Sequence, residues 1–138
     1  MREDGAGPWF TYRLTVRFFD TDAQRIVHHA NYLVYLEEAR SEFVRSRGIP
    51  YREIDARGIA IVLAKAEMRC TAPATFDDEL VVRMRPAVVG SRLATFEYRI
   101  EHAVSGRLLV EARTTHAFVD RMMKAVRAPD WLREALEL

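Results

Sequence analysis

The chain is short of several things that would announce a specialised role. It has a single cysteine, Cys70, among 138 residues, so no internal disulfide can form. No run of about 20 apolar residues is available to span a bilayer. Neither sign of charge dominates, with 21 Lys plus Arg against 20 Asp plus Glu, so no net field draws the whole surface to a nucleic acid or an anionic membrane. The opening MREDGAGPW lacks the apolar core and small-residue cleavage site of a secretory signal. The chemistry motifs HExxH, paired CxxC and GxSxG are missing as well. These absences lead us to expect a reduced, cytoplasmic protein with no nucleic-acid partner and no membrane insertion.

What is present is ordinary globular composition, 49% apolar and 30% charged. A chain of this length withdraws roughly two-thirds of its unfolded surface from water, enough for one core. We expect a single domain over residues 1–138, its first several residues loose. Tyr12, Leu14, Val16 and Phe18 alternate with Thr11, Arg13, Thr15 and Arg17, the period of a strand with one buried face. After it, Tyr32, Leu36, Ala39 and Phe43 form one stripe of a long helix that starts near Asn31 and stops at Gly48. Residues 49–58 read as a connection with one helical turn. Four strands follow: a first from Ala64 to Cys70, others from Leu80 and through Ala94 to Ile100, and a last from Leu108 to Val119. Turns at Phe76-Asp77-Asp78, Gly90-Ser91 and Ser105-Gly106 separate them, and Pro129 opens a short terminal helix. One strand, one long helix and then consecutive strands argue for an α+β fold with an antiparallel sheet of about five strands.

The stretch DTDAQRIVHHANY, Asp20 to Tyr32, concentrates reactive groups. Metal binding by Asp20, Asp22, His28 and His29 is poorly served by the spacing, since adjacent histidines diverge on regular backbone. Two readings fit the residues better. In one, the aspartates shape a turn, Asn31 caps the helix and the histidines fill space. In the other, a carboxylate stands before a helix whose free N–H groups face the same cavity, a constellation suited to acyl transfer.

DTDAQRIVHHANYLVYLEEARSEFVR resembles the signature of hotdog-fold acyl-CoA thioesterases of the 4-hydroxybenzoyl-CoA thioesterase type. The likeness continues through FDDELVV, the strand ending FVD and the proline before the terminal helix, and so covers nearly the whole chain. It implies a hotdog fold, in which a curved antiparallel sheet wraps one long helix, and a homodimer or homotetramer with active sites at the subunit interface. By position, Asp22 matches the catalytic carboxylate and His29 the helix-start residue at the thioester, with Asp20 as a support. Asp22 would attack the carbonyl or direct water at it, and the N–H of His29 would hold the oxyanion while the CoA thiol leaves. Val27 and Tyr32 would line the substrate site, and Arg92 would meet the nucleotide phosphates. No metal or redox cofactor is implied, coenzyme A being part of the substrate. The same chemistry would serve an acyl-carrier-protein thioesterase, and a non-catalytic acyl-CoA-binding protein would keep the fold alone. One departure stands out: Gln24-Arg25 occupies a place where the family often has glycine. Cys70, on the apolar side of its strand, and His116 receive no catalytic task. Glu38 and Arg40 are expected in helix-surface or subunit-contact ion pairs.

Overall fold

The computed structural model describes residues 8–137, and the expected looseness of the first several residues lies outside that range. Strand β1 (Phe10–Thr15) leads through a short 3-10 turn into helix α1 (His29–Ser46) and a second, short helix α2 (Tyr51–Ala56). Strands β2 (Ala60–Cys70), β3 (Glu79–Val89), β4 (Leu93–His102) and β5 (Leu108–Val119) follow, and helix α3 (Asp130–Glu137) closes the chain. The five strands form one antiparallel sheet in the order β1-β3-β4-β5-β2. This is the expected curved sheet around one long helix. Among the described residues no helix is long and apolar enough to cross a membrane.

The core forms where the helical stripe meets alternate residues of the strands. Tyr32, Tyr35, Leu36, Ala39, Phe43 and Val44 of α1 are buried, as are Leu80, Val82 and Met84 of β3 and Phe96, Tyr98 and Ile100 of β4. Phe43 stands at the centre of this contact, edge-on to Phe10 at 5.6 Å and to Phe96 at 6.3 Å between ring centroids. Burying such a side chain contributes about 1.5–3 kcal/mol, and truncating it to alanine costs about 3–5 kcal/mol. The opposite face of the sheet carries the polar half of the alternation, with Arg83 bonded to Glu101 at 3.0 Å and Arg85 to Glu97 at 2.6 Å.

Helix α1 ends where glycine was expected to end it. Gly48 has φ +78, and its N–H and that of Ile49 bond back to the carbonyls of Arg45 and Val44. The strand alternation fails at one point. Phe18 does not continue β1 but turns outward at 70% exposure, because Arg17 and Asp20 bond across a 3-10 turn that breaks the extended backbone. On the helix surface Glu38 and Arg40 take hydroxyl partners, Tyr12 and Tyr98, within the chain.

Among the described residues strand β2 is an edge strand paired with β5 alone, with a register shift between Leu63 and Lys65. Its residues from Leu63 to Glu67 are exposed although Leu63, Ala66, Met68 and Cys70 lie opposite core-facing partners on β5. Cys70 is therefore exposed, not packed on an apolar face, because β2 lies at the sheet edge and no strand among the described residues extends past it.

Candidate active site

The loop between β1 and α1 is fastened at Asp20, which is 3% exposed. Its carboxylate accepts from the Arg17 backbone N–H at 3.0 Å, from the Arg17 guanidinium at 3.1 Å and from the Tyr35 hydroxyl at 2.7 Å. Its carbonyl accepts from the His28 N–H at 2.8 Å and from Asn31 Nδ2 at 2.9 Å. Burial alone would raise the pKa of this carboxyl, but the bonds from Arg17 and Tyr35 outweigh it and hold the pKa below the ordinary value. Asp20 is thus the expected support: it locks the turn to the first two turns of α1.

Asp22 sits two residues beyond this anchor and is half-buried. Its Oδ1 accepts from the Gln24 N–H at 2.8 Å, while Oδ2 has no hydrogen-bond partner among the described residues. The loop then reverses. Asp22 and Ile26 bond through their backbones at 2.9 Å, and Arg25 adopts φ 68 to close the turn. An L-residue in that conformation costs about 1–2 kcal/mol, which explains why glycine suits the position. Val27, 3% exposed, is tied to the Ala74 carbonyl at 2.9 Å and carries the chain to the helix.

Asn31 is not the helix cap. His28 is, with its Nδ1 accepting from the Ala30 N–H at 3.2 Å, while Asn31 is committed to Asp20. Because His28 lies on extended backbone just before the helix, its ring does not diverge from that of His29. The two rings stack with centroids 4.2 Å apart. The His29 N–H, first in the helix, meets no acceptor among the described residues. It carries the positive end of the helix dipole.

These groups open on one cavity of about 340 Å³, which Asp22, Ile26, Val27, His29, Tyr32 and Cys70 help to line. Tyr32 is 3% exposed, and burial raises its pKa despite a bond between its hydroxyl and the Ala74 backbone. Four of the residues picked out in the sequence, Asp22, Val27, His29 and Tyr32, therefore converge. Arg92 does not join them in this chain: it lies in the β3–β4 turn, where its carbonyl accepts from Phe118. Sequence reasoning missed Cys70, which reaches the cavity through the strand order. It also missed Tyr35, whose hydroxyl no periodicity could assign to Asp20. A carboxylate oxygen held by one bond, a second left free and an unpartnered helix N–H at the same cavity can activate a nucleophile against a carbonyl and hold the resulting oxyanion.

Comparison with known proteins shows the family of the chain. Residues 16–136 match the model of the thioesterase-like superfamily. The acyl-CoA thioester hydrolase YbgC of Escherichia coli O6:H1 is 31% identical over 119 residues, 86% of this chain and 88% of that protein. A crystal structure of hypothetical protein AQ1494 from Aquifex aeolicus is 37% identical and superposes with a TM-score of 0.88 over 92% of this chain and 98% of its own. Slr0204, a 1,4-dihydroxy-2-naphthoyl-CoA thioesterase from Synechocystis, is 26% identical with a TM-score of 0.86, covering 93% and 95% of the two chains.

Proposed function

The chain belongs to the thioesterase-like superfamily, and from that membership we infer that it hydrolyses acyl-CoA thioesters to a carboxylic acid and free CoA. One water is consumed: its oxygen joins the acyl carbon, the C–S bond breaks and the thiolate takes up the remaining proton. Within the superfamily we place the chain with the 4-hydroxybenzoyl-CoA thioesterase type, as a single hotdog domain over residues 1–138 acting in the cytoplasm. The observation that carries this reading is the meeting of the free Asp22 Oδ2 and the free His29 N–H at one cavity.

In the mechanism we propose, the thioester carbonyl points its oxygen at the His29 N–H, and charge gathering there is stabilised by the helix terminus. Asp22 either attacks the carbonyl carbon, forming an anhydride that water then opens, or removes a proton from the water that attacks. A thiolate is a good leaving group, so this small constellation suffices. Val27 and Tyr32 shape the wall beside the reacting carbon.

We further propose that two copies pair through β2. The exposed edge, with Leu63 at 53% exposure, supports this. A twofold axis perpendicular to the sheet pairs such an edge with itself antiparallel, so the Cys70 end of one β2 meets the Ala60 end of the other. Arg92 belongs to the latter end, since Ala60 pairs with Val119 and the neighbouring Phe118 bonds the Arg92 carbonyl. Arg92 of one protomer would then stand beyond the cavity of its partner and take the CoA phosphates there. A thiol-release assay over a panel of acyl-CoAs, run beside Asp22→Asn, tests the assignment. Loss of turnover with every thioester is expected, and undiminished hydrolysis by folded Asp22→Asn would refute it.

A further inference from the structure

Asp22 faces two spaces. One is the cavity at the start of α1; the other is a cleft of about 580 Å³ lined by Phe18, Thr21, Asp22, Ala23, Arg25 and Phe76. The Phe18 and Phe76 rings meet edge to face, with centroids 5.8 Å apart and planes at 89°. Yet they are 70% and 56% exposed. Their positions are fixed by backbone bonds between the two turns that carry them: Val16 N–H to the Asp78 carbonyl at 2.9 Å, and Asp77 N–H to the Val16 carbonyl at 3.0 Å. Two large aromatic faces are thus held open to water beside the reaction centre, and an apolar or aromatic body that covers them gains favourable burial.

Arg25 adds a cation to this cleft. It is exposed, stands on strained backbone at φ 68, and its guanidinium meets no carboxylate or other acceptor among the described residues. Its planar fork of donors is matched to a carboxylate. It also offsets the charge of Asp22, so that a second anion can enter the same cleft.

A thioester presents two limbs on opposite sides of its carbonyl. The CoA limb carries its phosphates at the end of a long amide-bearing arm, whereas Arg25 and Asp22 line the same cleft, which puts the guanidinium within one acyl group of the reacting carbon. An anion read by Arg25 therefore belongs to the acyl limb. The other cavity has polar residues in its wall, Gln24, His29 and Thr71, and opens toward the β2 edge, beyond which Arg92 of a second copy stands in the proposed dimer. That is the side suited to the CoA arm.

We propose that the Phe18–Phe76 cleft is the acyl subsite and that Arg25 selects acyl groups bearing a carboxylate at their far end. The preferred substrates are CoA monothioesters of dicarboxylic acids whose two acid groups are joined by an apolar, aromatic spacer. This inference rests on the thioesterase reading above. The test compares 4-carboxybenzoyl-CoA with benzoyl-CoA by the ratio of their kcat/KM values. The wild-type protein favours the carboxylated thioester by about 10-fold or more, Arg25→Gln brings the ratio to about 1 or lower, and Arg25→Lys restores part of it. Phe76→Ala weakens both thioesters by similar factors. A wild-type ratio of 1 or less, a ratio unmoved in Arg25→Gln, or unaltered use of both thioesters by Phe76→Ala overturns the proposal. Calorimetric binding of the same two thioesters to Asp22→Asn separates it from the catalytic reading. Selective binding that depends on Arg25, with no hydrolysis by the wild type, refutes hydrolysis and upholds recognition. Hydrolysis without selection, or binding of neither thioester, sinks the subsite alone.

Discussion

The Tyr35 hydroxyl donates to the Asp20 carboxylate across 2.7 Å, joining the second turn of α1 to the loop that carries Asp22. Both partners are buried, and burial together with the Asp20 charge pushes the Tyr35 pKa up, so the phenol stays protonated and remains a donor. Tyr35→Phe removes that bond while keeping the ring, and should cost about 1.5–3 kcal/mol in denaturant unfolding, the range for a bond to a charged group. The pH response follows from the sign of the Asp20 shift. A carboxylate with a lowered folded pKa adds stability above its unfolded pKa, and that stability is lost as pH falls through the folded value. In Tyr35→Phe the folded pKa rises toward normal. Acid unfolding, followed by circular dichroism, should therefore begin at higher pH than in the wild type.

At Asp22 the substitution to Asn is informative because it retains an oxygen for the Gln24 N–H, bonded at 2.8 Å in the parent, while removing the charge. The turn should survive, with stability within about 0.5 kcal/mol of the parent. Turnover should fall by about 10²–10⁴-fold, the contribution of a positioned base or nucleophile. Borohydride added during turnover by the wild type distinguishes the two routes: an anhydride formed by direct attack is reduced at Asp22 to homoserine, and base catalysis leaves the residue intact.

Much of the fold was legible because period two and period 3.6 are local signals. The stripe Tyr32, Leu36, Ala39, Phe43 and the long strand Leu108–Val119 both appear where the residues place them. The failures share a cause, which is a partner distant in sequence or a local bond that periodicity does not see. Phe18 leaves β1 because Arg17 bonds Asp20, and Asn31 gives up the cap because it bonds Asp20 eleven residues earlier. Cys70 reaches the cavity only because β2 occupies the sheet edge beyond β5, an order that no strand pattern encodes. The Asp22 and His29 positions were read through resemblance, since the residues alone also fitted a simple turn.

His116 provides an acid-sensitive element apart from the candidate site. It is 1% exposed, with Nε2 and the Thr114 hydroxyl 2.9 Å apart, and burial together with the charge of Arg40 lowers its pKa from 6.5 to about 3. The folded chain keeps it neutral while the unfolded chain protonates it, so its contribution is complete above pH 6.5 and is lost as pH falls toward 3. Each pH unit in that window costs about 1.4 kcal/mol. His116→Gln, which can still bond Thr114, should flatten the stability profile between pH 6 and 4 in urea titrations; an unchanged slope would mean that the ring is protonated in the folded state.

The β2 edge yields the last prediction, because it ties assembly to chemistry. If two copies meet there, Leu63, exposed at the edge of one chain, becomes buried against the other. Leu63→Asp then places an unpaired charge in that contact on both sides of the twofold axis, and light scattering should report monomers where the parent gives dimers. Turnover should fall with assembly, since the cavity at the Cys70 end would lose the wall and the Arg92 cation supplied by its neighbour. Arg92→Ala isolates the second loss. It should leave the dimer intact and raise KM for acyl-CoA by about 10-fold, with a much smaller effect on the matching acyl-pantetheine, which has no phosphates for an arginine to hold. Equal changes with both thioesters would remove Arg92 from the phosphate site. A monomeric Leu63→Asp protein of full activity would show that each chain completes its own site.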